Sequence, residues 1–475
     1  MPASPFGGGR VRTALVFLDY DLLIRHFILT GAFRRLEEQY EVTYVFSTGE
    51  RSDKPTIFTD VNSLGLERVV ELDVPRQRMG GWYQLYCLTV LYQQRGKPNY
   101  EARKEFMRVV LGDEEVRKLT LRARPGIYHF LRWRITRRMG SYKPLAELLD
   151  DAKPDVILHP SILTGFFLNE LLPLSRQRGI PFVVLMNSWD NPTSKAILTG
   201  HPDRLVVWGD VSKRYAVEYL SMPPDRVVCF GAAQFQLYRQ PPRATDEEIR
   251  RRFGLPMDKR VIVYGGASKG AHETKYLQAL EVGIETGQIP DCHVVYRPHP
   301  WRGGLAGGET DFFALPWKHI TMDPHMVEYY RRQADQETRE FLMADYGIMH
   351  QLLHIADGII SPLSTILLEA TILGKPTVMF FPDEDASLET SAGTAAGLKM
   401  VHFTDFWGVE GIQVCNRTAG FYDACRLMLV QAGDPRIARG LREHAEKFVV
   451  MDGPSYADRV LDLANELTAG SVSRT

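Results

Sequence analysis

The sequence predicts an α/β protein of two parallel-sheet domains in tandem, joined by a short linker. Three observations carry this. Short β-branched or apolar runs alternate with helical stretches along most of the chain, the pattern of parallel strands linked by helical crossovers. A proline-bearing stretch, Gln236 to Ala244 with Arg239-Gln240-Pro241-Pro242, interrupts that alternation near the middle. Ala356 to Asp383 reads as one compact strand–turn–helix–strand unit, which belongs to a parallel sheet with its binding edge at the carboxyl ends of the strands. At 475 residues the chain exceeds one ordinary core. The expected division is a first domain at 11–235 with a helical insertion at about 82–145, a linker at 236–258, a second domain at 259–445, and a closing helix and tail at 446–475.

Composition narrows the class. Hydrophobic residues make up 44% and charged residues 24%, which excludes a largely disordered chain. Lys plus Arg number 57 against 58 Asp plus Glu, so net charge gives no reason to expect nucleic acid as a partner. Five scattered cysteines without a CxxC pair fit a reducing cytosol and offer neither a zinc site nor a disulfide framework. Met1 to Arg12 lacks the apolar segment of a signal peptide. No stretch approaches the ~18 apolar residues of a membrane span. The expectation is a cytoplasmic protein, soluble or peripheral at the inner face of the membrane.

The first strand is Thr13 to Leu18, ending in Asp19-Tyr20-Asp21; a helix should follow from Leu22 to Glu38. Acids directly after a strand lie at the ligand edge of such a sheet. Glu41 to Phe46 and Val69 to Leu72 are the next strands. Within the insertion, residues 117–143 hold nine Lys or Arg and no acid, with Tyr128, Phe130 and Trp133 interleaved. That concentration suits anionic lipid headgroups, a phosphorylated acceptor or nucleic acid, or is a solvated face paired with acids elsewhere. Asp155 to His159 is a strand ending in His159-Pro160-Ser161. Phe182 to Met186 ends in the loop Asn187 to Lys195, and Leu205 to Trp208 and Val227 to Phe230 complete the domain. In the linker, Thr245 and Glu248 form a capping box.

Arg260 to Tyr264 opens the second domain, and its first loop, Gly265-Gly266-Ala267-Ser268-Lys269-Gly270, has the look of a phosphate cradle without being a Walker A sequence. The backbone near Gly266 and the Lys269 ammonium are its candidate contacts. His293 to Tyr296 delivers Arg297-Pro298-His299-Pro300-Trp301-Arg302, where two prolines hold His299 between two arginines at a strand end, the make-up of an anion site. In the 356–383 unit, Gly358 to Ile360 is a strand, Ser364 or Thr365 caps a helix, and Gly374 and Pro376 end it. Free amides at that helix start plus two hydroxyls make an anion site. Glu369, one turn further in, either meets the ribose of a bound nucleotide or faces solvent.

Arg297-Pro298-His299-Pro300 is similar to the HP motif of bacterial sialyl-, Kdo- and capsule-polymer transferases. Ser361 to Thr365, with Glu369-Ala370 and Gly374-Lys375-Pro376, resembles their serine motif, and CDP-glycerol glycerophosphotransferases carry related elements. Asp452-Gly453 with Arg459 looks like the tail of that set. Two tandem α/β domains resemble the GT-B fold of nucleotide-sugar glycosyltransferases, two Rossmann-like domains facing across a cleft. The likeness covers about Arg260 to Arg459; in the first domain it is confined to architecture and the Ser188 to Lys195 loop.

What the resemblance implies is a metal-independent enzyme without a cofactor. The second domain would hold a nucleotide-activated sugar and the first a glycan or lipid-linked acceptor. His299 and Ser364 or Thr365 would hold the donor phosphates, Arg297 would add charge there, and Glu369 would meet the ribose. An inverting transfer also needs a base from the first domain. Asp190 is preferred, near Lys195, with Asp19, Asp21 and His159 as the other candidates; Asp190 is equally readable as a turn-former before Asn191-Pro192. A retaining transfer would need no such base. A CDP-alditol phosphotransferase and a non-catalytic two-domain binding scaffold share the same motifs.

Overall fold

The computed structural model describes the chain apart from residues 1–9, 52–53, 56, 58, 163–165, 267–272, 301–311, 335–343, 383–400 and 473–475. It forms two compact units. The first takes the chain up to Arg95, Arg117–Gln234 and the chain from Asp452 on; the second takes Gly96–Val116 and Phe235–Met451. Residues 96–116 of the helical insertion thus group with the second unit, and the closing helix with the first.

The first unit is built on seven parallel strands: β1 (Arg12–Leu18), β2 (Tyr40–Ser47), β3 (Val69–Leu72), β4 (Val156–His159), β5 (Phe182–Leu185), β6 (Arg204–Val207) and β7 (Val227–Cys229), in the order β3-β2-β1-β4-β5-β6-β7. Ala14 to Leu18 are all buried, as expected of a strand covered on both faces. The sheet grows outward from β1 to β3 and then returns to the other side of β1 with β4.

The helix expected over 22–38 does not run through. Asp21–Leu23 begins it, Ile24–Ile28 is a wider turn with Leu29 N donating to Ile24 O at 3.0 Å, and Gly31 takes φ +70 before a last turn at Arg34–Glu37. A left-handed residue cannot continue a helix. The segment between β3 and β4 is helical: α1 (Arg76–Gln93), α2 (Tyr100–Leu111), α3 (Asp113–Arg122), α4 (Pro125–Met139) and α5 (Lys143–Ala152). Buried Glu170 holds α1 in place, accepting from Arg78 Nη2 at 2.5 Å and Trp82 Nε1 at 2.9 Å.

The second unit has six parallel strands: β8 (Arg260–Gly265), β9 (Cys292–Arg297), β10 (Ile320–Met322), β11 (Gly358–Ser361), β12 (Thr377–Phe380) and β13 (Ile412–Cys415), in the order β10-β9-β8-β11-β12-β13. The two edge strands, β10 and β13, are missing from the sequence reading. They are three and four residues long and carry too little pattern to register. The Thr245–Glu248 capping box forms as expected. Gly358 opens β11 because Met428 lies on it: a Cβ there would stand 2.6 Å from the sulfur.

One device sets the strand registers in both units. An aspartate just before a strand accepts the amide that starts its neighbour: Asp155 from Thr13 at 2.7 Å, Asp203 from Phe182 at 2.9 Å and Asp357 from Val261 at 2.8 Å. Two of the three, Asp155 and Asp357, act where the sheet reverses direction, between β1 and β4 and between β8 and β11.

Candidate functional site

Ligands of open parallel sheets bind beyond the strand carboxyl ends where strand order reverses. In the second unit that point lies between β8 and β11, and the sequence motifs meet there. Ser361, fully buried at the end of β11, donates from its hydroxyl to the carbonyl of Gly265 at 3.0 Å, fastening the two loops. Gly266 N donates to Arg297 O at 2.9 Å, which brings in the end of β9. A Cβ on Gly266 would stand 2.7 Å from the Glu273 carboxylate (Oε2) and 3.1 Å from His299 N, so glycine lets the Gly266 backbone approach both. Buried Glu273 is itself held by Tyr296, whose hydroxyl donates to Oε2 at 2.5 Å.

His299 is half-buried on this edge, and its carbonyl accepts from the Tyr330 hydroxyl at 2.7 Å. Ser364 and Thr365 are half-buried after β11, and among the described residues neither hydroxyl has a recorded hydrogen bond. Thr365 begins the helix α6 (Ile366–Ile372) without capping it through its side chain, contrary to expectation, because its backbone is already helical at φ -61, ψ -24. All seven residues of α6 are buried.

Two expected donor contacts have other partners. Arg297 is buried and ion-paired with fully buried Asp323, which follows β10; its charge is compensated within the protein. The second Asp323 oxygen accepts His325 N at 2.9 Å. Glu369 is neither solvent-facing nor open to a ribose: buried on α6, it accepts the hydroxyl of Tyr238, which stacks on Phe235 at 5.3 Å. His350 packs against the same tyrosine at 5.0 Å, and burial depresses its pKa to about 4. Lys269 with most of its loop, and Arg302, lie outside the described residues.

In the first unit the reversal lies between β1 and β4, and there Asp19 and His159 meet. Both are buried, with Nε2 2.8 Å from Asp19 Oδ2. The other ring nitrogen, Nδ1, is 2.7 Å from Ser161 O. A carbonyl only accepts, so Nδ1 is the donor to Ser161 O, and the Nε2 edge of the ring faces the Asp19 carboxylate. The neighbouring Tyr20 and Ser161 hydroxyls bond at 2.8 Å. Asp21 points elsewhere and accepts from the Thr59 hydroxyl at 2.6 Å. Asp190 accepts from the hydroxyls of Ser188 and of Ser194, the latter at 2.7 Å, which is the bonding of a turn-former. Lys195 is exposed.

Sequence reasoning passed over Ser361 as a fastener, Glu273, Asp323 and Tyr238. Ser361 stood inside a quoted motif; Asp323 follows a strand that was not recognised, and Tyr238 sits in a stretch read as linker.

Among the described residues Glu281, Glu285 and His319 have ligand atoms within 4.8 Å of one another. They lie at the amino end of β10, away from the ligand edge. Glu281 accepts the amides of Lys318 and His319, and Glu285 pairs with Lys318, so the cluster already serves as a loop anchor.

No family model matches the chain, and no curated protein sequence matches it. Solved structures do. A putative UDP-N-acetylglucosamine 2-epimerase from Listeria monocytogenes superposes with TM-score 0.54 at 9% identity, over 96% of each chain. A UDP-GlcNAc 2-epimerase from Neisseria meningitidis bound to UDP-GlcNAc gives 0.48 at 11% identity, over 96% of this chain and 99% of that one. The wall teichoic acid polymerase TagF with CDPG gives 0.46 at 14% identity, over 97% and 89%. At such identities the first of these establishes the fold alone: two Rossmann-like α/β domains of the GT-B type.

Proposed function

We propose that this protein is an enzyme that takes a nucleotide-activated sugar as donor and transfers the sugar to a surface glycan or a lipid-linked acceptor. The observation that carries the reading is the convergence at the β8–β11 reversal, where Ser361 ties its turn to Gly265 and Gly266 ties in the strand end that carries His299. A departing nucleotide phosphate gains negative charge in the transition state, and fixed imidazole, hydroxyl and amide donors stabilise it without moving. His299, Ser364 and Thr365 would hold the phosphates. Arg297 would shape the loop through Asp323 rather than touch the donor, and Glu369 would reach a ribose only by giving up Tyr238.

The acceptor base would come from the first unit. The buried Asp19–His159 pair suits a positioning role beside the bonded Tyr20 and Ser161 hydroxyls; Asp190 remains the candidate base once its serine partners turn away.

The test is calorimetric titration of the full chain with CMP, CDP, UDP and GDP. One of them should bind, and His299→Ala and Ser364→Ala should each weaken it by roughly 1.5–3 kcal/mol, about 10- to 150-fold. Binding of none by folded protein sinks the reading. Unchanged affinity in both variants moves the donor to the Gly266 loop. Product analysis then separates chemistries: a glycoside supports sugar transfer and a phosphodiester an alditol phosphate transfer. An altered nucleotide sugar formed without acceptor points to epimerisation, and binding without turnover to a scaffold.

A further inference from the structure

Helix α4 presents two faces of opposite character. At about 100° per residue, Tyr128, Leu131, Arg132, Ile135, Thr136 and Met139 share the inward arc, and all are buried or half-buried. The outward arc carries Ile127, Phe130, Trp133, Arg134, Arg137 and Arg138, all exposed, with no acid among them. Phe130 and Trp133 are 55% and 54% exposed and their rings lie 6.1 Å apart. Arg137 lies over the Trp133 ring at 5.2 Å. Leu121 and Arg122, at the end of α3, extend the exposed surface.

Two cations of the segment have partners that fix them. Arg132 donates to Thr199 O at 2.6 Å and Lys143 pairs with Glu147. Arg122, Arg124, Arg134 and Arg138 make no ion pair among the described residues. The nearest acids that precede the helix, Asp113 to Glu115, sit at the opposite end of α3.

We propose that this face lies on an anionic lipid surface, with Phe130, Trp133 and Ile127 at the headgroup–acyl boundary and the arginines on the headgroup phosphates. The interleaving decides the partner. A protein interface gathers its apolar groups into a core depleted of charge and leaves the charges to a rim. A single-stranded nucleic acid is tracked by a groove, and this is one convex helix face. Alternating aromatic and cationic side chains on one exposed arc match the layered chemistry of a membrane surface. The inference does not depend on the donor reading, since the face lies outside the β8–β11 loops.

The test is co-sedimentation of the full chain with phosphatidylglycerol-containing vesicles and with pure phosphatidylcholine vesicles, at low and at high salt. Binding is expected to the anionic vesicles and to weaken in salt, because screening removes the headgroup attraction. Arg134→Glu/Arg137→Glu/Arg138→Glu should lower partitioning about a hundredfold. Phe130→Ser/Trp133→Ser, at two exposed positions, should leave a weaker and more salt-sensitive binding. Nucleotide titration of the same variants should be unchanged, which separates this result from the donor reading. Absence of wild-type binding, equal binding to neutral vesicles, or full binding by either variant overturns the proposal. Capture of soluble polyphosphate or single-stranded DNA without vesicle binding also overturns it.

Discussion

Buried side chains at the strand ends decide how the candidate site is read. Asp19 and His159 were both legible as strand-end residues, but their meeting was not: 140 positions separate them, and only the return of β4 beside β1 joins them. Arg297 and Glu369 were legible as motif residues, yet Asp323 and Tyr238 hold them, and no spacing in the sequence announces those partners. His26 has a measurable consequence. It is buried, and that burial, then the charge of Arg25, depresses its pKa to about 3. The folded protein therefore keeps His26 neutral, while the unfolded chain protonates it below about pH 6.5. The unfolded state binds the extra proton, so stability falls as pH drops from about 6.5 toward 3, by about 1.4 kcal/mol per pH unit for this residue. Burial moves His293 and His350 the same way, each to about 4. Urea denaturation at pH 7 and pH 5 should show the loss, and His26→Phe should flatten the slope; an unchanged slope would remove His26 as a source.

Among the elements, the long, uniformly apolar central strands were readable and the short edges were not. A run such as Thr13 to Leu18 declares itself by composition; Ile320–Met322 becomes a strand only because β9 offers a free edge. The helix expected over 22–38 failed for the opposite reason, since its apolar period was sound but Gly31 breaks the backbone. The aspartate clamps are elements of register, and each satisfies a strand-starting amide. Asp357→Ala should leave the Val261 amide without its carboxylate and cost about 1–3 kcal/mol of stability. Asp155→Ala should cost a similar amount through Thr13. Chemical denaturation of the two variants checks this, and wild-type stability in both would show the clamps to be incidental.

For the whole molecule, two tandem α/β units were predictable from alternation and the proline-bearing stretch, but their membership was not. The final helix, Tyr456–Val472, is amphipathic and could have served either sheet. It packs on the first: the Tyr40 hydroxyl lies 3.0 Å from Thr468 Oγ1, Arg35 pairs with Asp458 at 2.9 Å, and Tyr456 is buried beside Phe27. Truncation after Met451 should therefore destabilise the first unit and spare the second, so calorimetry should show one lowered and one retained transition. A single unshifted transition would count against it. The same packing governs how the protein is made. The second unit is complete once Met451 has been synthesised, and its reversal clamp spans 96 positions. The first unit begins the chain, closes its clamp over 142 positions, and still waits for residues beyond Asp452. Loops of greater span close more slowly. All seven strands of the first sheet are made by Cys229, yet the helix that packs beside Phe27 and Tyr40 is made only after the whole second unit.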